Sequence, residues 1–97
     1  MKRDDVIAAL RAHEPELRAA GVVRLLLFGS TARDEARVDS DIDLLAAFDD
    51  RPLSLLDVIG IENRIADLLG RPVDLIEEGA MPPRARQSAN REAVRAF

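Results

Sequence analysis

The chain has 97 residues, of which 47% are hydrophobic and 33% charged, a balance typical of a folded globular protein. Its net charge of −4 argues against a protein that holds DNA or RNA by neutralising phosphates, and three aromatic residues offer few platforms for base stacking. The absence of cysteine excludes disulfides and thiolate metal sites, and no apolar run approaches the roughly 20 residues that span a bilayer. We therefore expect a single domain over residues 1–97, cytoplasmic, with no membrane and no direct nucleic-acid partner.

The first part of the chain predicts two helical segments and one buried strand. Apolar residues recur at helical spacing over residues 4–10, behind an aspartate that can cap the first turn. Pro15 is placed to open a second helical piece, which ends at Gly21. The nearly continuous apolar run over residues 22–28 has the length of a buried strand.

A short turn and a second strand follow. Gly29 and Ser30 end the first strand, and residues 31–36 predict a short helix capped by Ser30 or Thr31. Residues 41–48 are typical of a strand, because successive side chains would alternate between two faces. One face would carry Asp41, Asp43 and Leu45, and the other Ile42, Leu44 and Ala46.

The second half predicts a helix, a strand and a final helix. Residues 54–69 place apolar side chains at intervals of three and four and are closed by Gly70. Residues 73–76 read as a short strand with Asp74 at its centre, and residues 83–96 as a helix. Together these elements predict an α/β fold with a small mixed sheet of three or four strands, helices packed mainly on one face and carboxylates on the other.

Asp41 and Asp43 are two positions apart on the predicted strand and point the same way, with α-carbons about 6.6 to 7 Å apart. Two bare charges at that distance repel by about 2 kcal/mol at an effective dielectric near 20, so a cation is expected between them. Carboxylates without histidine or cysteine favour Mg²⁺. If the strand bearing Asp74 lies alongside, three carboxylates can hold two ions about 3.5 to 4 Å apart, as in phosphoryl-type transfer.

Asp39, Asp41 and Asp43 also match the first half of an EF-hand calcium loop. That loop requires a glycine where this chain has Leu44, and helices on both sides. We therefore set the EF-hand interpretation aside.

The turn at Gly29 and Ser30 has the features of a phosphate-binding loop. Glycine allows a phosphate chain to approach backbone N–H groups, and a following helix offers its positive end. Arg33 lies one turn further on and can pair with phosphate oxygens. The turn is neither a Walker A loop nor a GxGxxG turn, and taken alone these two residues are more typical of an ordinary turn in which Ser30 caps the following helix.

Seven residues of these segments recur in a fixed order along the chain: Gly29, Ser30, Arg33, Ser40, Asp41, Asp43 and Asp74. This ordered set resembles the signature of the polymerase-β-type nucleotidyltransferase superfamily. The length and spacing are similar to its minimal members, the MNT proteins encoded beside HEPN-domain partners. Asp34 stands where that family usually has a glycine after the arginine, which adds a negative charge beside the expected triphosphate site.

The resemblance implies a nucleotidyltransferase fold and an enzyme that transfers AMP from ATP to a hydroxyl, releasing pyrophosphate. It implies that Asp41, Asp43 and Asp74 are catalytic and ligate Mg²⁺, with two ions expected. It further implies that Gly29 and Ser30 hold the β and γ phosphates, with Arg33 beside them and Ser40 ordering the loop.

The resemblance also implies an acceptor, because MNT proteins act as antitoxins that AMPylate a tyrosine of a HEPN ribonuclease toxin. Two alternatives stay open: a nucleotidyltransferase acting on a small-molecule hydroxyl, which could borrow a binding wall by dimerising, and a binding-only antitoxin of weak activity. The chain could form a homo-oligomer, or a hetero-oligomer with its partner protein. Four arginines near the C-terminal end could meet an acidic partner or face water; they are Arg84, Arg86, Arg91 and Arg95.

Overall fold

A computed structural model of the chain describes residues 2–35 and 41–97. None of the helices in these ranges is long and apolar enough to cross a membrane. The predicted elements are largely confirmed, and their bounds in chain order are α1 (Arg3–Ala12), α2 (Glu14–Ala19), β1 (Val22–Leu27), α3 (Gly29–Ala32), β2 (Ile42–Phe48), α4 (Leu55–Leu69), β3 (Val73–Glu77), a 3₁₀ helix (Glu78–Ala80), α5 (Pro83–Glu92) and β4 (Val94–Arg95).

The four strands form one mixed sheet in the order β3-β2-β1-β4. β1 runs antiparallel to both of its neighbours, whereas β2 and β3 are parallel. Parallel neighbours need a long crossover, and α4 supplies it. Its ends are set by Ser54, whose hydroxyl accepts the Asp57 N–H at 3.2 Å, and by Gly70, which is left-handed with φ +66°.

The hydrophobic core lies between one face of the sheet and helices α1, α2 and α4. Alternate strand residues point into it, as the period of two requires. The predicted arrangement, with helices mainly on one face, is therefore confirmed. The core residues contributed by the helices are Val6, Leu10, Leu17, Ile61, Ile65 and Leu69, and those of the strands include Val22, Leu25, Leu27, Ile42, Leu44, Ala46 and Leu75.

The predicted C-terminal helix over residues 83–96 is wrong at its end. α5 stops at Glu92, Ala93 takes an extended conformation, and β4 then pairs with β1. The N–H of Leu25 donates to the carbonyl of Phe97 at 3.0 Å, and the side chain of Phe97 is buried. Pairing with β1 and burial of the phenyl ring therefore outweigh the helical preference of the neighbouring alanines.

The helix predicted at residues 31–36 lies earlier in the chain. α3 begins directly at Gly29 and ends at Ala32, and its N-terminal cap is Phe28, with no side-chain capping bond. The prediction that Ser30 or Thr31 caps this helix is therefore wrong.

Candidate active site

Asp43 and Asp74 are brought side by side by the parallel pairing of β2 and β3. Each is the second residue of its strand, and the two are register partners. Parallel strands lie about 4.8 Å apart, and register partners point to the same face. The sheet therefore joins two carboxylates that are 31 positions apart in the sequence, on the face opposite the helical core.

Asp41 lies just before β2, exposed, and its charge reaches Asp43. Burial raises the pKa of the Asp43 carboxyl, and the negative charges of Asp74 and Asp41 raise this pKa further. The positive charge of Arg33 acts on the same carboxyl in the opposite sense. The charges of the other two predicted carboxylates thus both act on the half-buried Asp43.

Gly29 faces Asp43 across the β1–β2 pair. The N–H of Phe28 donates to the carbonyl of Asp43 at 3.1 Å, which fixes the end of β1 beside the start of β2. Gly29 has φ +63°, and a Cβ built on it would lie 2.7 Å from Oδ2 of Asp43. A side chain at this position would be disfavoured by the left-handed backbone and would also push against the Asp43 carboxylate, so the position favours glycine on two grounds.

Ser30 lies half-buried in α3, directly after Gly29, and its carbonyl accepts the N–H of Glu35 at 2.8 Å. The next residue, Thr31, is buried, and within the described residues its hydroxyl has no hydrogen-bond partner. Ser40, predicted to order the loop before Asp41, lies outside the described residues, as does Asp39.

Arg33 connects the glycine loop to the C-terminal helix α5. Its Nε donates to Glu35 at 3.1 Å and its Nη1 donates to Glu92 at 2.7 Å. These two bonds raise the pKa of the guanidinium, with the bond to Glu35 the larger cause. The sequence carries no signal for the contact with Glu92, because it depends on where α5 packs against α3.

Asp34 adopts a left-handed backbone conformation with φ +59°. Aspartate is one of the few residues other than glycine that tolerates this conformation. Its Oδ1 accepts the N–H of Arg3 at 2.9 Å, so the loop is tied to the start of α1. The position therefore needs a residue that accepts positive φ, which accounts for the glycine that the resembled family usually has there.

Glu62 is a supporting residue that the sequence did not reveal. Its Oε2 accepts the N–H of Leu75 at 2.8 Å, on the outer edge of β3. This bond fastens α4 to the strand directly beside Asp74. A glutamate within a predicted amphipathic helix gives no hint of such a contact.

The donor atoms of this site are all carboxylate oxygens, which suit a hard cation such as Mg²⁺. Within the described ranges, no three metal-ligating side chains are already clustered tightly enough to hold an ion. A groove of about 540 Å³ lies elsewhere, between α2 and α4, and none of the described site residues lines it.

Comparison with known proteins agrees with the family resemblance inferred from the sequence, and it does so over nearly the whole chain. The family described as nucleotidyltransferase domain matches residues 10–96. The protein adenylyltransferase MntA of Thermococcus cleftensis is 38% identical over 92 residues, which are 94% of this chain and 92% of that protein.

Solved structures agree with this assignment. A structure provisionally assigned as a minimal nucleotidyltransferase has a TM-score of 0.84 at 39% identity and covers 97% of this chain and 95% of its own. A second match is a chain in the structure of a complex between a tri-AMPylated HEPN toxin of Shewanella oneidensis and an MNT antitoxin. It has a TM-score of 0.67, and the match covers 94% of this chain and 71% of that chain. At 17% identity this second likeness shows the fold alone.

Proposed function

This chain belongs to the nucleotidyltransferase domain family, and we propose that it is a protein adenylyltransferase that transfers AMP from ATP to a tyrosine of a HEPN-type ribonuclease toxin, acting as its antitoxin. The register pairing of Asp43 with Asp74, facing Gly29, is the observation that carries the proposal. The kinship to a protein adenylyltransferase over 94% of the chain supports the choice of a protein acceptor and of an adenine nucleotide.

In this proposal Asp41, Asp43 and Asp74 hold Mg²⁺, with two ions expected. The fit rests on the oxygen-only donor set and on the raised pKa of Asp43, which burial and then the negative charges of Asp74 and Asp41 cause. When bound, the ions would neutralise charge on the phosphates and make the acceptor hydroxyl easier to deprotonate. In this proposal Asp74, which is exposed on the edge strand β3, also helps to take the proton from that hydroxyl.

The glycine loop orients the nucleotide in this proposal. With no side chain at Gly29, the triphosphate can approach the backbone N–H groups at the start of α3, where Ser30 adds a hydroxyl donor. Arg33 can turn its guanidinium to the β and γ phosphates, since it is exposed and its charge already reaches Asp43. Ser40 keeps its predicted role of ordering the loop.

The test is transfer of label from ATP to a purified HEPN protein encoded beside this gene, with Mg²⁺ present. We expect adenylylation of a tyrosine, identified by mass spectrometry, and loss of the toxin's ribonuclease activity. The Asp43→Asn variant should bind the toxin but transfer no label, whereas Asp50→Asn, which changes an exposed loop aspartate, should transfer normally.

Two other results would redirect the proposal. Tight binding and inhibition of the toxin without label transfer would make the chain a binding-only antitoxin. Transfer of AMP to a hydroxylated small molecule, with none to the toxin, would make it a small-molecule nucleotidyltransferase.

A further inference from the structure

α5 lies across the face of the sheet that carries Asp43 and Asp74. The connection from β2 through α4 to β3 moves outward to one edge of the sheet, whereas the connection from β3 through α5 to β4 returns to the opposite edge. Both connections join parallel strands, and such crossovers are right-handed, so the two helices lie on opposite faces. Because α4 packs on the core face, α5 lies on the face of the candidate site.

Two observations support this placement of α5. Glu92, at the end of α5, accepts a hydrogen bond from Arg33 beside the glycine loop at 2.7 Å. Leu45 points to the site face two residues after Asp43, and it is completely buried although it does not belong to the main core. That side chain needs a cover on the site face, and α5 together with the 3₁₀ helix before it is placed to provide one.

The side of α5 that faces away from the sheet is basic. Ala89 is buried and therefore marks the side of this helix that faces the sheet. At about 100° per residue, Arg84 and Arg91 lie within about 20° of each other and about 140 to 160° away from Ala89. Both arginines are exposed, and they are about 10 Å apart along the axis. The residues between them on this side are Gln87 and Ser88, which carry no charge.

Arg95 extends this basic surface onto β4. Its neighbours Val94 and Ala96 point to the core, so Arg95 points to the opposite face, which is that of the candidate site. Arg95 is exposed, and it follows Arg91 at the edge of the sheet where α5 ends. We call Arg84, Arg91 and Arg95 the basic strip.

The arginines of the basic strip have neither an ion pair nor a side-chain hydrogen bond within residues 2–35 and 41–97. Residues 83–97 hold four arginines and one glutamate, a net side-chain charge of +3 in a chain whose total is −4. Uncompensated positive charge is therefore gathered on the side of the molecule that carries the site. Arginines elsewhere bond to carboxylates or backbone carbonyls, as do Arg3, Arg11, Arg18, Arg24, Arg33, Arg51 and Arg64.

An acceptor must reach the carboxylates over this same face. The opposite face is filled by α1, α2 and α4, so a protein that presents a hydroxyl to Asp43 and Asp74 has to pack beside α5. We propose that the basic strip is the docking surface for the acceptor protein, which meets it with acidic side chains close to the modified hydroxyl. This inference rests on the proposed transfer to a protein, and it adds the charge of the surface that the acceptor presents.

An acidic protein fits the basic strip better than a nucleic acid does. Three arginines neutralise few phosphates, and the rest of the chain carries a net negative charge that would repel a polyanion. A few opposed charges are instead typical of protein partners, in which they speed association and fix orientation. The basic strip should therefore act mainly on the rate at which the acceptor binds, and this rate should fall as salt is raised.

The test measures binding of the purified HEPN protein encoded beside this gene, by biolayer interferometry without nucleotide. Arg84→Gln combined with Arg91→Gln should slow association about fivefold at low salt, and the difference from the wild type should shrink at high salt. Arg84→Glu combined with Arg91→Glu should slow association about 30-fold. In transfer assays the KM for the acceptor should rise, while kcat and the KM for ATP stay unchanged.

Ala8→Glu combined with Asn63→Glu is the control for the glutamine variant. It changes the net charge by the same two units, at exposed positions of α1 and α4 on the opposite face. This control should associate nearly as fast as the wild type. Thermal melting checks that each variant is folded, which we expect because all four substituted positions are exposed.

Association that does not depend on salt, or that is equal in the wild type and the strip variants, would overturn the docking proposal even if transfer is normal. A control that slows association as much as the strip variants would also overturn it, because net charge would then be the cause. If the strip variants keep binding to the toxin but lose binding to RNA, the strip serves nucleic acid and the proposal is wrong.

The docking proposal and the proposed function can fail separately. Salt-dependent docking through the basic strip without adenylyl transfer would keep the docking surface and remove the enzymatic function. Normal transfer by the strip variants, with unchanged KM for the acceptor, would keep the function and remove the docking surface. A wild type that does not bind the HEPN protein at all would overturn both.

Discussion

Oδ2 of Asp43 occupies the space that a side chain on Gly29 would need, at 2.7 Å from the position of its Cβ. The backbone of Gly29 is also left-handed, with φ +63°. The loop and the carboxylate are therefore positioned by each other. Disturbing the loop should move Asp43, and the first prediction measures that coupling.

Gly29→Ala should destabilise the fold by about 1 to 2 kcal/mol through backbone strain, and in addition reduce nucleotidyl transfer by more than tenfold because Asp43 is displaced. Gly70→Ala is the matched control, because Gly70 has nearly the same φ, +66°, but open space around its Cβ position. Urea unfolding and transfer rates separate the two effects. Equal activity losses in both variants would mean that the contact with Asp43 has no role.

Asp43→Asn should stabilise the protein at pH 7, raising Tm by a few degrees. The folded pKa of Asp43 is raised, so the folded state binds a proton more readily than the unfolded state, and stability falls as pH rises through that raised pKa. At pH 7 the ionised carboxylate therefore destabilises the fold, and removing its charge restores stability. The gain should vanish once the pH falls below the ordinary carboxyl pKa.

Mg²⁺ provides the complementary measurement. It should raise the Tm of the wild type, because a ligand that binds only the folded state stabilises it, and it should not affect Asp43→Asn. The control Asp50→Asn should respond to Mg²⁺ as the wild type does. A full Mg²⁺ response in Asp43→Asn would remove this residue from the ligand set.

Glu92→Gln should lower the KM for ATP several-fold with kcat little changed. Glu92 holds Nη1 of Arg33 at 2.7 Å, and a neutral amide would release the guanidinium more readily to a phosphate. Glu77→Gln, on the exposed end of β3, is the control and should be silent. An increase in KM would mean instead that Glu92 orients Arg33 for binding.

Asp34→Asn should also lower the KM for ATP, because it removes a negative charge beside the loop while asparagine keeps the tolerance for φ +59°. Asp34→Gly removes the same charge and the bond to the Arg3 N–H. Similar KM values for the two variants would identify charge as the cause. We expect both to change stability by less than about 1 kcal/mol, since strain relief offsets the lost bond in the glycine variant.

Glu62→Ala should cost about 1 to 2 kcal/mol of stability and lower kcat, because the Leu75 N–H beside Asp74 loses its acceptor. Glu62→Gln keeps an acceptor oxygen and should restore most of both quantities. Chemical denaturation gives the stability, and single-turnover transfer gives the rate. Loss of stability without loss of rate would show that Glu62 supports only the fold.

The sequence was most informative where a local period decides the structure. Spacing of apolar residues identified α4, and alternation identified β2 with Asp43 on the face away from Leu44. The register that pairs Asp43 with Asp74 could not be derived in this way, because it depends on strand order. From the sequence we could say only that the carboxylates would come together if the strand bearing Asp74 lay beside the strand bearing Asp43. The structure shows these two strands side by side.

Contacts between distant elements could not be predicted. The bonds that Glu92 accepts from Arg33 and that Glu62 accepts from the Leu75 N–H depend on how helices pack, and no motif marks either glutamate. The strand over Val94–Arg95 was predicted as helix because its neighbours are helix formers, whereas pairing with β1 decides its conformation. The roles assigned to Gly29, Asp43 and Asp74 stay predictions until activity is measured.

β1 is completed by a stretch of chain nearly 70 positions away, because Leu26 pairs with Arg95. Sequence separation on this scale slows folding, since a long loop must close before the pairing is rewarded. During synthesis, the strand that leads into the glycine loop lacks one neighbour until residues 94–97 have been added. A partly made chain would therefore expose an unpaired strand edge, a hazard that the finished sheet does not have at that position.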